Sequence, residues 1–127
     1  MIHQLGQIMV YVNNQDRALS FWTEILEFVI VEEINLEGMR WIEVAPSLDS
    51  ETTIILHDKE KISSMQPELN VGTPSLMFFT NDLDELYSKL KNMQITVGDI
   101  VTVPSGKVFN FADYEDNYFA VMQKAKE

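Results

Sequence analysis

The chain contains no cysteine among its 127 residues, which excludes disulfides, thiolate nucleophiles and any metal site built on sulfur. Histidine is nearly as scarce. His3 and His57 are the only two, little material for a histidine-rich metal centre. Cationic residues are few as well, with 9 Lys+Arg against 20 Asp+Glu and a net charge of −11. A field of that sign repels phosphate backbones and anionic membrane surfaces, so no nucleic acid or membrane partner is expected. No apolar run approaches the roughly 20 residues that span a bilayer. The opening MIHQLGQIMVYV lacks the basic start and small-residue cleavage site of a secretory signal. The expected location is cytoplasmic.

What remains is a chain 46% apolar, long enough for one domain with a real core. The run Gly6 to Val12, GQIMVYV, is rich in β-branched and aromatic residues and predicts a strand. Asn13 and Asn14 break it and suit a helix N-terminus. From Gln15 to Leu26, Ala18, Trp22 and Ile25 recur on one helical face, with Leu19 and Leu26 beside them. Strands follow at Phe28–Ile34, Met39–Ala45 and Thr52–His57, with a turn at Glu37-Gly38. The polar stretch 58–72 predicts a connector containing at most a turn of helix.

After the connector the pattern returns. Ser75–Thr80 predicts a strand, Asn81-Asp82 a break, and Leu83, Leu86, Tyr87, Leu90 and Met93 a second amphipathic helix. Strands are expected at Ile95–Val103, Lys107–Phe111 and Tyr118–Gln123, with turns at Pro104-Ser105-Gly106 and Asp113–Asn117. Sliding the chain by 68 places Asn13 on Asn81, Asp16 on Asp84 and Trp22 on Leu90. The expected fold is therefore α+β: two βαβββ modules, roughly 1–57 and 73–124, forming one domain. Half a chain of about 55 residues is marginal alone, so the modules are expected to bury their sheets together.

Three stretches, Gln7–Trp22, Leu76–Lys91 and Ala112–Gln123, carry a resemblance to the vicinal oxygen chelate superfamily, the group of glyoxalase I, bleomycin-resistance proteins and extradiol dioxygenases. QIMVYVNNQDRALSFW is similar to the family's opening strand, polar break and helix. Leu76–Lys91 resembles a second copy of it, and ADYEDNYFAVMQ its closing turn and last strand. The resemblance implies mixed sheets that curl around a cavity, often with a divalent metal, and frequently a homodimer. It implies ligand positions at Gln7, Ile55, Ser75 and Ala120. Of these only Gln7 retains a good donor side chain. The usual metal site is thus dismantled and no cofactor is expected, unless a divalent metal is held by a remodelled site such as Gln7, Glu43 and His57.

Strand alternation extends the candidate set. If Gln7 faces the cavity, Met9 and Tyr11 do too. By the same parity Ser75, Met77 and Phe79 face inward, as do Tyr118, Ala120 and Met122. Ile42 and Val44 suit the helix side, which turns Trp41 and Glu43 inward, and His57 lies two residues beyond Ile55. Glu43 is a candidate proton-abstracting carboxylate, with a solvated face or pairing with Arg40 as its bland alternatives. The apolar and aromatic members form a candidate binding wall. The acidic runs Glu32-Glu33 and Asp113–Asp116, and the mixed run Asp58-Lys59-Glu60-Lys61, are expected to be solvated surface. Three functions follow: a metal-independent binder of a small cationic or aromatic molecule, resembling the bleomycin-resistance branch; a lyase, isomerase or dioxygenase of glyoxalase type with a remodelled metal site; and a partner-binding module with a vestigial cavity.

Overall fold

The computed structural model describes residues 1–126. The chain forms two units that divide between Pro74 and Ser75. In the first, β1 (Gln7–Val12) leads into α1 (Gln15–Ser20) and a π-helical continuation, Phe21–Ile25; β2 (Val29–Leu36), β3 (Met39–Ala45), β4 (Thr53–Asp58) and α2 (Lys59–Met65) follow. The second comprises β5 (Met77–Phe79), α3 (Leu83–Asn92), β6 (Val101–Val103), β7 (Gly106–Ala112) and β8 (Tyr118–Lys124). Each unit holds a four-stranded mixed sheet, ordered β1-β4-β3-β2 and β5-β8-β7-β6. In both, the first strand runs parallel to the last, because the intervening helix crosses over between them. The two-module βαβββ fold expected from the sequence is the fold found.

Local chemistry explains the elements. The Asn14 side chain accepts from Arg17 N at 3.0 Å and so caps α1. Asp58 and Asp82 cap α2 and α3 in the same way, each at 3.1 Å. Glu37 and Gly38 both take left-handed φ, 51° and 81°, as a two-residue hairpin turn between β2 and β3 requires. Alternation on β3 sorts its side chains: Ile42 and Val44 are fully buried, alongside Val10 and Val12 of β1 and the helical residues Phe21 and Trp22. Gln15 ties the helix to the sheet, its amide donating to Arg40 O at 2.7 Å and Leu56 O at 2.9 Å.

The 68-residue offset has a physical counterpart. Asp16, in the first turn of α1, pairs with Arg40 of β3 at 2.7 Å. Asp84, in the first turn of α3, pairs with Lys107 of β7 at 3.0 Å. An acidic residue at a helix start is favoured by the helix dipole, and in each unit a cation on the third strand meets it.

Several boundaries differ from the expectation. The helix over 15–26 turns π-helical at Phe21, where Leu26 N donates to Phe21 O at 3.2 Å. The Thr23 hydroxyl takes the Leu19 carbonyl at 2.7 Å, a side-chain bond that competes with regular helix pairing. The connector contains a genuine helix, α2. The long strand expected over 95–103 is interrupted at Gly98-Asp99, residues that suit strands poorly; Val97 keeps a single bridge to Phe111 and β6 begins at Val101. Gly106 lies in β7 rather than in the turn before it. Asp113 is buried, not solvated: its carboxylate accepts from Glu115 N, Asn117 N and Asn117 Nδ2, each at 2.9 Å, and holds the turn into β8.

Candidate functional site

The face of the first sheet turned away from its helix carries a cavity of about 180 Å³. Its lining comes from all four strands: Gln7 and Met9 of β1, Ile55 and His57 of β4, Trp41 and Glu43 of β3, Glu32 and Ile34 of β2. The parity expected for β1, β3 and β4 therefore places Gln7, Met9, Trp41, Glu43 and His57 together. Tyr11 joins them through His57, its ring stacked at 5.7 Å and 19°. Trp41 meets the imidazole in an edge-to-face arrangement, with ring centroids 6.4 Å apart and planes at 81°.

His57 is only 7% exposed, and its Nδ1 is buried without a hydrogen-bond partner. Burial depresses its pKa below the ordinary value of 6.5, because desolvation penalises the imidazolium. Glu43 does not pair with Arg40. Its Oε2 accepts from the Thr53 hydroxyl at 2.6 Å across the β3–β4 ladder. Arg40 points to the opposite face, where it bridges Asp16 and Glu33. Arg40 lowers the Glu33 pKa, and Glu33 and Asp16 together raise that of Arg40.

Glu32 and Ile34, both of β2, are the lining residues that parity does not supply. The β2–β3 register pairs Ile30 with Val44 but Glu32 with Glu43, so Val31 is an extra residue, a β-bulge. A bulge turns every residue beyond it to the other face. Glu32 thus joins the cavity while its neighbour Glu33 goes to Arg40, and the run expected to be plain surface is divided between a site and an ion pair. No signal in the sequence marks the bulge.

The other candidates belong to the second unit. Ser75 is exposed and precedes β5. Met77 and Phe79 lie opposite Ala120 and Met122 in the β5–β8 register. Phe79 is 63% exposed, with the Lys124 ammonium 4.3 Å from its ring centroid. Phe78 packs the other way, against Phe111 and Phe119.

These residues do not fit a divalent metal of the kind the resemblance implies. Ile55 and Ala120 carry no donor atom, and Ser75 offers only a neutral hydroxyl. Among the described residues no three His, Asp or Glu side chains form a group that would hold a metal ion. Nor is any described helix long and apolar enough to cross a membrane.

Residues 4–121 match the family model described as the Glyoxalase/Bleomycin resistance protein/Dioxygenase superfamily. The chain is 31% identical to the Bacillus subtilis (strain 168) protein YurT over 91 residues, 68% of this chain and 72% of that one. It is 28% identical to YetH of the same organism over 125 residues, 97% and 100% of the two chains. Among solved structures it resembles TnmS3, an antibiotic binding protein from Streptomyces sp. CB03234, with a TM-score of 0.83, 24% identity and 98% of each chain covered. It also resembles a lactoylglutathione lyase from Agrobacterium tumefaciens, with a TM-score of 0.75, 17% identity and 97% and 95% covered.

Proposed function

This chain belongs to the Glyoxalase/Bleomycin resistance protein/Dioxygenase superfamily, and on that premise we propose that it is a metal-independent binder of a small molecule. The observation that carries this is the cavity on the first sheet. Met9, Ile34, Trp41 and Ile55 give it an apolar and aromatic wall, and Gln7, Glu32, Glu43 and His57 supply a few polar groups, the composition of a ligand pocket. A volume of about 180 Å³ is close to the roughly 150 Å³ that holds one benzene ring. The cavity therefore takes one ring-sized part of a ligand. A donor set without a strong ligand at three of the four metal positions supports binding over metal chemistry, and the antibiotic binding by TnmS3 supports the same reading by likeness of fold alone.

Trp41 provides the test. Small aromatic compounds, titrated in the presence of a chelator, are expected to change the tryptophan emission of the protein and raise its melting temperature. In Trp41→Phe the emission change should disappear, because Trp22 is wholly buried in the core. Thermal stabilisation by a divalent metal, with no response to any aromatic compound, would favour the glyoxalase-type enzyme instead.

A further inference from the structure

Glu32 and Glu43 stand directly opposite each other on adjacent strands and line the same cavity. Like charges in that position are destabilising. The cost is incurred only because Val31 bulges out of β2; without the bulge, Glu32 would share the face of Ile30 and Val44. Bulges that re-aim a side chain cluster beside functional sites. Among the described residues no lysine, arginine or histidine forms an ion pair with either carboxylate. A second, independent feature lies in the same cavity, namely the enclosed His57 ring with its Nδ1 unpartnered. Buried polar atoms are nearly always satisfied, and one that is not calls for an explanation.

We infer that the cavity takes a primary ammonium ion joined to a ring-sized apolar body, an inference that rests on the binding role proposed above. A primary ammonium brings three N–H donors and no acceptor, which matches two carboxylates that no cation of the described chain neutralises. The Thr53 hydroxyl already occupies Glu43 Oε2, so Glu43 Oε1 and the Glu32 carboxylate receive the cation. Trp41, between Glu43 and the hairpin, and Ile34, its cross-strand partner, receive the ring, and an aromatic face adds attraction for the adjacent charge. The net charge of −11 draws such cations from a distance.

Benzylammonium and benzyl alcohol differ little in size and shape and fully in charge, and the Trp41 emission reads both. Benzylammonium is expected to bind at least about tenfold more tightly than the alcohol. In Glu32→Gln and in Glu43→Gln that preference should shrink toward unity while the affinity for benzyl alcohol holds. Equal binding of the two compounds by the parent protein overturns the inference, as does a preference that survives both substitutions. If neutral aromatic compounds bind and benzylammonium does not, the inference falls and the binding role stands. If no compound binds, both fall.

Discussion

The Thr53 hydroxyl donates to Glu43 Oε2 at 2.6 Å, so the carboxylate in the middle of β3 is held by its neighbouring strand and not by a cation. A bond to a charged acceptor from a buried donor is worth more than a neutral one. Thr53→Val is expected to lower stability by about 1–2 kcal/mol, read as a shift of the urea midpoint, and to loosen Glu43 without moving β4.

Gln15 and Asp16 are neighbours with unequal consequences. Gln15 satisfies two strand carbonyls from a half-buried position, whereas the Asp16 side chain is 81% exposed where it meets Arg40. Gln15→Ala should cost about 1–2 kcal/mol. Asp16→Asn should cost less than about 0.5 kcal/mol, and less still in high salt. Denaturant titrations of the two variants side by side separate these outcomes.

Stability should fall on mild acidification because of His57. Its pKa in the folded chain lies below the ordinary 6.5 through burial. The unfolded chain therefore takes a proton that the folded chain refuses. The His57 contribution is complete above about pH 6.5 and is lost as pH drops from there toward the depressed folded value. Tyr11 and Trp41 flank the ring, and Gln7, Glu32 and Glu43 line the same cavity. Urea midpoints at pH 7 and pH 5 should differ in the parent protein, and His57→Phe should narrow the difference.

Glycine substitutions should act with opposite signs at two places. Gly106 has φ 153°, and a Cβ built on it would collide with the Gln123 carbonyl oxygen, so Gly106→Ala should destabilise by about 2 kcal/mol or more. Gln94 ends α3 in the left-handed region, φ 61°, and is exposed. Gln94→Gly should raise stability by up to about 1 kcal/mol, since glycine carries no Cβ penalty there. Thermal melts of both variants provide the check.

The parts of this molecule legible in the sequence are those where one period governs one element. Met39–Ala45 alternates cleanly, and its Trp41/Glu43 and Ile42/Val44 faces follow directly. Gln7, Met9 and His57 reach the cavity by the same rule. Glu32 does not, because its face depends on one inserted residue, Val31, whose effect exists only in the pairing of β2 with β3. In the sequence Asp113 is one more acid in an acidic run; its burial comes from backbone N–H groups that a turn gathers around it, a contact that composition does not record. Asp16 and Asp84 matched across the repeat in sequence, but their partners Arg40 and Lys107 sit one position out of step and emerge only once both third strands are in place.

The π-helical turn at Phe21–Ile25 bears on how the chain tolerates insertion and deletion. Such a turn arises as a one-residue bulge in an α-helix, so the stretch between α1 and β2 holds a spare residue. Losing a residue there would restore α-helical pitch and leave β3 and its cavity-facing side chains in register. The same loss within β3 would exchange Trp41 and Glu43 for Ile42 and Val44. Variants of this chain that differ in length should therefore differ at that turn, and the strands that line the cavity should keep their length.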